Sequence, residues 1–206
     1  MGFLDALLGR TKPAQPNLDR LFGLPGARIT LEASEGLRPS GEAGVCFKPS
    51  AGQEFASAEA EIAALLDLGD DGTGIGSPAP DTSASLSGPA DQFGYQWIVC
   101  KAPDFDSLVT RVHVVNSTLQ EHGYGPQLLC SVFGFSASTT PPPAGGLPHL
   151  FLVYLYKRGT FYPFVPLAGE KRDNEAELRL KTELGEDLSI EKDLDRWFPI
   201  WNPPLN

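Results

Sequence analysis

What this chain lacks narrows it first. It contains no G-x-S-x-G, G-x-x-x-x-G-K-[ST] or G-x-G-x-x-G match, so a nucleophile elbow, a phosphate-cradling loop and a dinucleotide fingerprint have no anchor in it. No stretch reaches the roughly 18 consecutive apolar residues that a membrane-spanning helix needs. The N-terminus does not show a charged region followed by the apolar core of a signal peptide. Basic residues are scarce: 16 Lys and Arg against 26 Asp and Glu give a formal net charge of -10 and a pI near 4.7. Nucleic-acid phosphates would be repelled, and the densest basic clusters, Lys157-Arg158 and Lys171-Arg172, are too small to compensate. Cysteine is also sparse. Cys46, Cys100 and Cys130 are odd in number, widely spaced and set in apolar runs, which excludes a disulfide framework and reads as reduced core thiols. The expected location is therefore the cytoplasm.

What remains is an ordinary globular composition, with 41% hydrophobic and 20% charged residues among 206 and a mean hydropathy of -0.14. This length can bury a substantial core, and one domain over residues 1–206 is the expectation. Nineteen prolines and 22 glycines imply long connections and disfavour an all-helical bundle.

Residues 2–10 carry a short helical pattern that presents Phe3, Leu4, Leu7 and Leu8. Asn17 is placed to cap a second short helix over 18–22. Residues 28–33 and 45–48 read as short strands. Phe55, Ala58, Ile62, Leu65 and Leu66 follow helical spacing within an amphipathic helix over 53–68. Residues 69–92, dominated by Gly, Asp, Ser, Thr, Pro and Ala, read as a flexible loop or insertion.

Periodicity is stronger beyond that point. Residues 95–100 read as a strand, and Phe105, Leu108, Val109, Val112, Val115 and Leu119 mark one face of a helix stopping at Gly123. Residues 126–135 and 150–156 are near-continuous apolar runs of strand length, separated by a Pro-rich loop. Residues 160–165 return a hairpin through the turn Lys157-Arg158-Gly159, and Pro163, lacking a ladder donor, places that strand at an edge. Asn174 followed by Glu177 suggests a capping box opening a last helix that ends at Gly185. Three successive strands without crossover helices must pair antiparallel. The expected fold is therefore α+β, a mixed or antiparallel sheet of about five to six strands with helices mainly on one face.

Candidate chemistry is weak throughout. Cys100, His113, His122 and Cys130 lie near one another in sequence, but the two histidines are nine residues apart on one helix and so on opposite faces, which opposes a zinc site. Cys130 sits among Leu128, Leu129, Val132 and Phe133 and reads as an inert buried thiol. Gly72-Thr-Gly-Ile-Gly76 has linker spacing, and Asp70-Asp71 lacks the calcium-loop register. Asn116 falls inside an apolar stripe and reads as a core amide bonded to a neighbouring backbone group. No catalytic residue, cofactor or metal ligand is expected. The partner-like features are the apolar N-terminal residues Phe3, Leu4 and Leu7, the hairpin turn with Lys157, Arg158 and Tyr162, and the aromatic tail with Trp197, Phe198 and Trp201. The default for the N-terminal helix and for the tail is packing on their own domain, and where exposed they are anchors for a partner.

Several segments together resemble a known family. They include Met1-Gly-Phe-Leu-Asp-Ala-Leu-Leu-Gly-Arg10, Asn17-Leu-Asp-Arg-Leu-Phe22, Phe93-Gly-Tyr-Gln-Trp-Ile-Val99, Val115-Asn-Ser-Thr-Leu-Gln120 and Gly123-Tyr-Gly-Pro-Gln-Leu-Leu129. Leu155-Tyr-Lys-Arg-Gly-Thr-Phe-Tyr-Pro-Phe164, Arg172-Asp-Asn-Glu175 and Arg196-Trp-Phe-Pro199 complete the set. With these, the chain resembles PspAB, an actinobacterial family associated with the phage-shock protein PspA. The resemblance implies a non-catalytic cytoplasmic adaptor or regulator associated with a PspA-type membrane stress response, acting through protein-protein contacts, with peripheral contact to the inner face of the membrane as a further expectation. Two alternatives stand beside it. One is a small-molecule binder or enzyme with a pocket of Tyr154, Tyr156, Tyr162, Arg158 and Asn116, and the other is a chaperone-like binder of extended segments at a sheet edge.

Deleting residues 1–10 is expected to weaken partner or membrane association while leaving the melting temperature unchanged. A sharp fall in melting temperature would make the segment structural instead.

Overall fold

The computed structural model describes residues 16–48, 57–58, 60–62, 64, 94–139, 142 and 146–205. Phe3, Leu4 and Leu7 and the 69–92 stretch lie outside the described residues. Five strands, β1 (Leu37–Phe47), β2 (Gln96–Lys101), β3 (Leu128–Ala137), β4 (His149–Leu155) and β5 (Thr160–Phe164), form one sheet in the order β2-β1-β3-β4-β5. Every neighbouring pair is antiparallel. A small ribbon of β6 (Pro166–Leu167) and β7 (Lys171–Arg172) follows β5. Helices α1 (Leu24–Glu35), α2 (Phe105–Glu121) and α3 (Asn174–Glu183), with further helical residues between 57 and 64, make the fold α+β.

Period-two alternation divides the sheet into two apolar faces. Val45, Phe47, Ile98, Cys100, Phe133, Phe135, Leu152, Tyr154 and Phe161 pack with the helices in the larger core. α2 lies there because Leu108, Val112, Val115 and Leu119 recur every three or four residues and all are buried. The side chain of its N-cap, Asp104, accepts the Ser107 amide, and that bond holds the carboxyl below its ordinary range. Asn116 is fully buried, and its Nδ2 donates to the Val112 carbonyl at 2.8 Å and to Ser131 Oγ at 2.9 Å, so the amide ties α2 to β3. Ser57, Ala58, Ala60, Glu61, Ile62 and Ala64 are helical, and Ala58 and Ile62, one turn apart, enter the same core.

Four sequence expectations are corrected. Residues 28–33 are helical, inside α1, rather than a strand. Leu24, Ala27 and Leu31 are fully buried at helical spacing behind Pro25 in the first turn, whereas the β-branched Ile29 is 61% exposed. The helix stops at Gly36, whose φ of 65° suits a residue without a Cβ. Residues 45–48 do not form a separate short strand. Leu37–Phe47 is one strand of 11 residues, and its small and proline-containing first half lacked a strand pattern. Asn17 makes no side-chain cap for the 3-10 helix Leu18–Gly23, and its carbonyl instead accepts the Tyr154 hydroxyl at 2.8 Å. The N-cap of α3 is Asp173, not Asn174, and Glu177 turns into the protein rather than back to the helix start.

The sheet's second face has its own core of Cys46, Trp97, Cys130, Val132, Val153, Tyr162, Phe164 and Trp197. Gly44 makes room for it. A Cβ there would stand 2.9 Å from Trp97 Cε3 and 3.4 Å from Leu205 Cδ2. Gly44→Ala is therefore expected to destabilise the fold by about 1–3 kcal/mol, the usual cost of overpacking a dense core, read from the midpoint of urea unfolding.

Candidate binding groove on the second face of the sheet

The groove's floor is set by strand register. Trp97, Cys46, Cys130, Leu155 and Thr160 are successive cross-strand partners along one transverse row. Gly44, Val132, Val153 and Tyr162 form the next. β5 is the edge strand, as Pro163 suggested, and the chain returning from α3 covers it. The Phe161 amide donates to the Ser189 carbonyl at 2.9 Å, and the Glu191 amide donates to the Phe161 carbonyl at 2.7 Å.

From Glu191 the chain crosses the second face as an irregular strap, fixed by side chains because no ladder is available to it. Glu191, only 2% exposed, accepts hydrogen bonds from Arg158, from the Thr160 hydroxyl at 2.9 Å and from the Asp193 amide at 3.1 Å. Burial alone would push its carboxyl up; the Arg158 guanidinium, the Asp193 amide and the Thr160 hydroxyl hold it down at about 2. Asp193 caps the 3-10 helix Leu194–Arg196. Trp197 then stacks on Tyr162 with ring centroids 5.7 Å apart, and its indole donates to the Glu191 carbonyl at 3.1 Å.

Further fasteners lie beyond Trp197. Arg172 Nη1 donates to the Trp197 carbonyl at 2.7 Å, and the Tyr162 hydroxyl donates to the Phe198 carbonyl at 2.7 Å. Trp201 meets Phe164 edge-on at 5.0 Å. Arg172 also pairs with Glu177 at 2.7 Å and lies over the Phe164 ring. Burial raises the Glu177 carboxyl above its ordinary range, although Arg172 and the Val165 amide act to lower it.

Strap and sheet do not close completely. A half-open cavity of about 480 Å³ lies between them, walled by Tyr95, Trp97, Leu129 and Leu155 on the sheet side and Phe198, Pro199, Ile200 and Trp201 on the strap side. Cys46 and Cys130 lie in its floor, and Lys157, Arg158 and Arg196 edge it. The candidates Lys157, Arg158, Tyr162, Phe198 and Trp201 therefore come together around one groove, although they span 45 positions of sequence. Trp197 does not line it, being buried against Tyr162. Phe198 is 60% exposed.

The other candidate pocket is divided between the two faces. Only Arg158 and Tyr162 of its five residues reach the groove. Tyr154 and Tyr156 lie in the helix-side core, and Tyr156 donates to Gln120 at 2.6 Å. Asn116 is used between α2 and β3. Burial raises the Tyr154 phenol to about 12. His122 meets Glu61 at 2.6 Å and His113 meets Asp19 at 3.7 Å, in separate places. Among the described residues no group of three or more His, Cys, Asp or Glu is arranged to hold a metal ion, and no helix is long and apolar enough to cross a membrane. The groove itself was hidden in the sequence, because it is a gap whose walls are matched by register and strap path; the alternation of Cys46, Cys130 and Leu155 with helix-side neighbours was its only trace.

Glu191 gives the strap a pH dependence of definite sign. Its folded value, near 2, lies below its ordinary 4.5, so its contribution is present above about pH 4.5 and is lost as pH falls toward 2. Glu177, raised rather than lowered, opposes this, favouring the folded state on the acid side. Tryptophan emission is expected to report strap release between pH 4.5 and 2. Glu191→Ala should remove that acid step and cost about 3 kcal/mol, the lower end for breaking a buried pair, because Arg158 keeps contact with solvent.

A comparison with protein families matches residues 1–205 to a family described as PspA associated protein B. No curated protein and no solved structure matches.

Proposed function

We propose that this chain, which belongs to the PspA associated protein B family, is a non-catalytic adaptor that associates with a PspA-type membrane stress protein and holds it in the groove beneath its strap. The family description supports the association. The single observation that supports the mode is the groove: apolar and aromatic inside, half open, and edged by cations. A partner helix or extended segment can insert large apolar side chains there and set a carboxylate beside Lys157. Arg158 and Arg196 are already engaged by Glu191 and Asp193, whereas among the described residues Lys157 has no carboxylate partner.

The division of labour follows from these energetics. Insertion of apolar side chains into a desolvated aromatic site supplies most of the affinity of such contacts, and exposed rim charge mainly steers approach. The adaptor's net charge of -10 repels an acidic flank at long range, so Lys157, the rim cation without a carboxylate partner among the described residues, orients such a flank only at close range. The Tyr162 hydroxyl is held by the Phe198 carbonyl and serves to position the strap, which fits binding better than reaction.

Phe198→Ala and Lys157→Glu replace exposed side chains, so both variants should keep the native melting temperature. Each is expected to weaken binding of the purified PspA-type protein of the same cell at least about tenfold, near 1.4 kcal/mol, by titration calorimetry. No binding by the unaltered chain would overturn the adaptor reading; binding unchanged in both variants would move the contact elsewhere.

A further inference from the structure

We infer that Cys46 and Cys130 are a redox-sensitive thiol pair in the floor of the groove, closing to an intramolecular disulfide under peroxide and so weakening partner binding. The consequence for binding rests on the adaptor reading; the thiol chemistry does not.

The pair is made by register. Cys46 and Cys130 are direct partners across antiparallel β1 and β3, both join the second-face core, and both line the groove. Tyr162 lines the same groove and belongs to the same second-face core as both cysteines, and burial raises its phenol. Residue exposures of 4% and 7% shut out large oxidants, while the open side of the cavity admits one as small as peroxide. Cys100 is a built-in control. It lies in the helix-side core, and complete burial pushes its thiol up to about 12, which suppresses the nucleophilic thiolate.

Directly opposed Cβ atoms in an antiparallel pair sit roughly 4.5–5.5 Å apart, and a disulfide needs about 3.5–4.5 Å. Closure therefore draws the strands together by up to about 1 Å. The place for that movement exists: the β1–β3 register slips between Cys46 and Phe47, with Leu129 as the extra residue, and such a bulge interrupts the ladder locally. A bond formed under this constraint is readily reduced.

The reaction balances with peroxide as oxidant. One thiolate attacks a peroxide oxygen, breaking the O–O bond and, with one proton taken up, giving a sulfenic acid and water. The second sulfur attacks the sulfenic sulfur, forming the S–S bond and expelling the hydroxyl as a second water. Two thiols together lose two electrons and two protons, and one hydrogen peroxide becomes two waters. The bond would tighten the floor between Trp97 and Leu155, the flanking members of the same row, where a partner side chain must insert.

The test treats the full chain with hydrogen peroxide, counts thiols and maps the linked peptides. Two of three thiols are expected to be lost in a Cys46–Cys130 link, with Cys100 retained and a dithiol reductant restoring both. Cys46→Ser or Cys130→Ser should abolish the reversible link under the same peroxide treatment. Retention of all three thiols, or a link to Cys100, would overturn the inference. Binding of the PspA-type protein, measured beside it, should fall at least tenfold on oxidation and recover on reduction. Disulfide formation with unchanged partner affinity would overturn its regulatory part, and a reduced chain that binds no partner refutes the adaptor reading while leaving the disulfide result to stand on its own.

Discussion

The structure depends on one constraint: a single sheet with two apolar faces has to be covered on both. The helices cover one. The other carries Trp97, Val132, Val153, Tyr162 and Phe164, and burial of each large apolar side chain is worth about 1.5–3 kcal/mol. Leaving that face in water would forfeit an amount comparable with the roughly 5–15 kcal/mol net stability typical of a domain. The C-terminal strap meets this need without regular structure, which allows it to follow a twisted surface. Its backbone groups are satisfied by side chains instead of by a ladder, through Glu191 of the strap itself to the Asp193 amide, Arg172 of the small ribbon to the Trp197 carbonyl and Tyr162 of β5 to the Phe198 carbonyl.

Two buried carboxylates bracket β5 and divide this task. Glu191 works with Arg158 in the turn before the strand, and Glu177 works with Arg172 and the Val165 amide just after it. Their protonation responds in opposite directions because the balance of the same forces differs. Donors around Glu191 outweigh its burial, whereas burial of Glu177 outweighs its donors. The hairpin is anchored from the helix side too, by Arg20 donating to the Gly159 carbonyl at 2.6 Å. An edge strand that could recruit another chain is thus closed by the Ile190 bridge and held at both ends.

Sequence patterns revealed those parts of the fold in which local periodicity and tertiary burial agree. α2 and the β3–β4–β5 meander were readable, since the apolar stripe of Leu108 to Leu119 and the runs in β3 and β4 have one interpretation. α1 was misread because Ile29 and Thr30 favour strands locally, while the decisive residues, Leu24, Ala27 and Leu31, are decided by what they touch. β1 was half hidden because Gly41 takes a left-handed φ of 85° and Gly44 makes room for Trp97 and Leu205, a need set by other parts of the chain. The site was legible as two separate surfaces, the charged turn and the aromatic tail. Their union was not, since no local signal carries the path of the strap or the register that places Cys46 opposite Cys130.

That union changes what the aromatic residues can do. Trp197, the most anchored, is spent on holding the strap to Tyr162, so it cannot serve as a hook for a partner. Phe198, its neighbour in sequence, is exposed at the groove's edge because its carbonyl, not its ring, is what Tyr162 holds. The backbone is thereby fixed while the side chain stays available, a preorganised arrangement that lowers the entropy lost on binding. One wall of the groove is a rigid sheet and the other a strap pinned by side chains, so any occupant must press on the contacts that keep the second face dry. Occupancy of the proposed adaptor site and the attachment of the strap are in this way a single equilibrium, in which a ligand that fits the gap stabilises the fold and one that overfills it works against Tyr162 and Arg172.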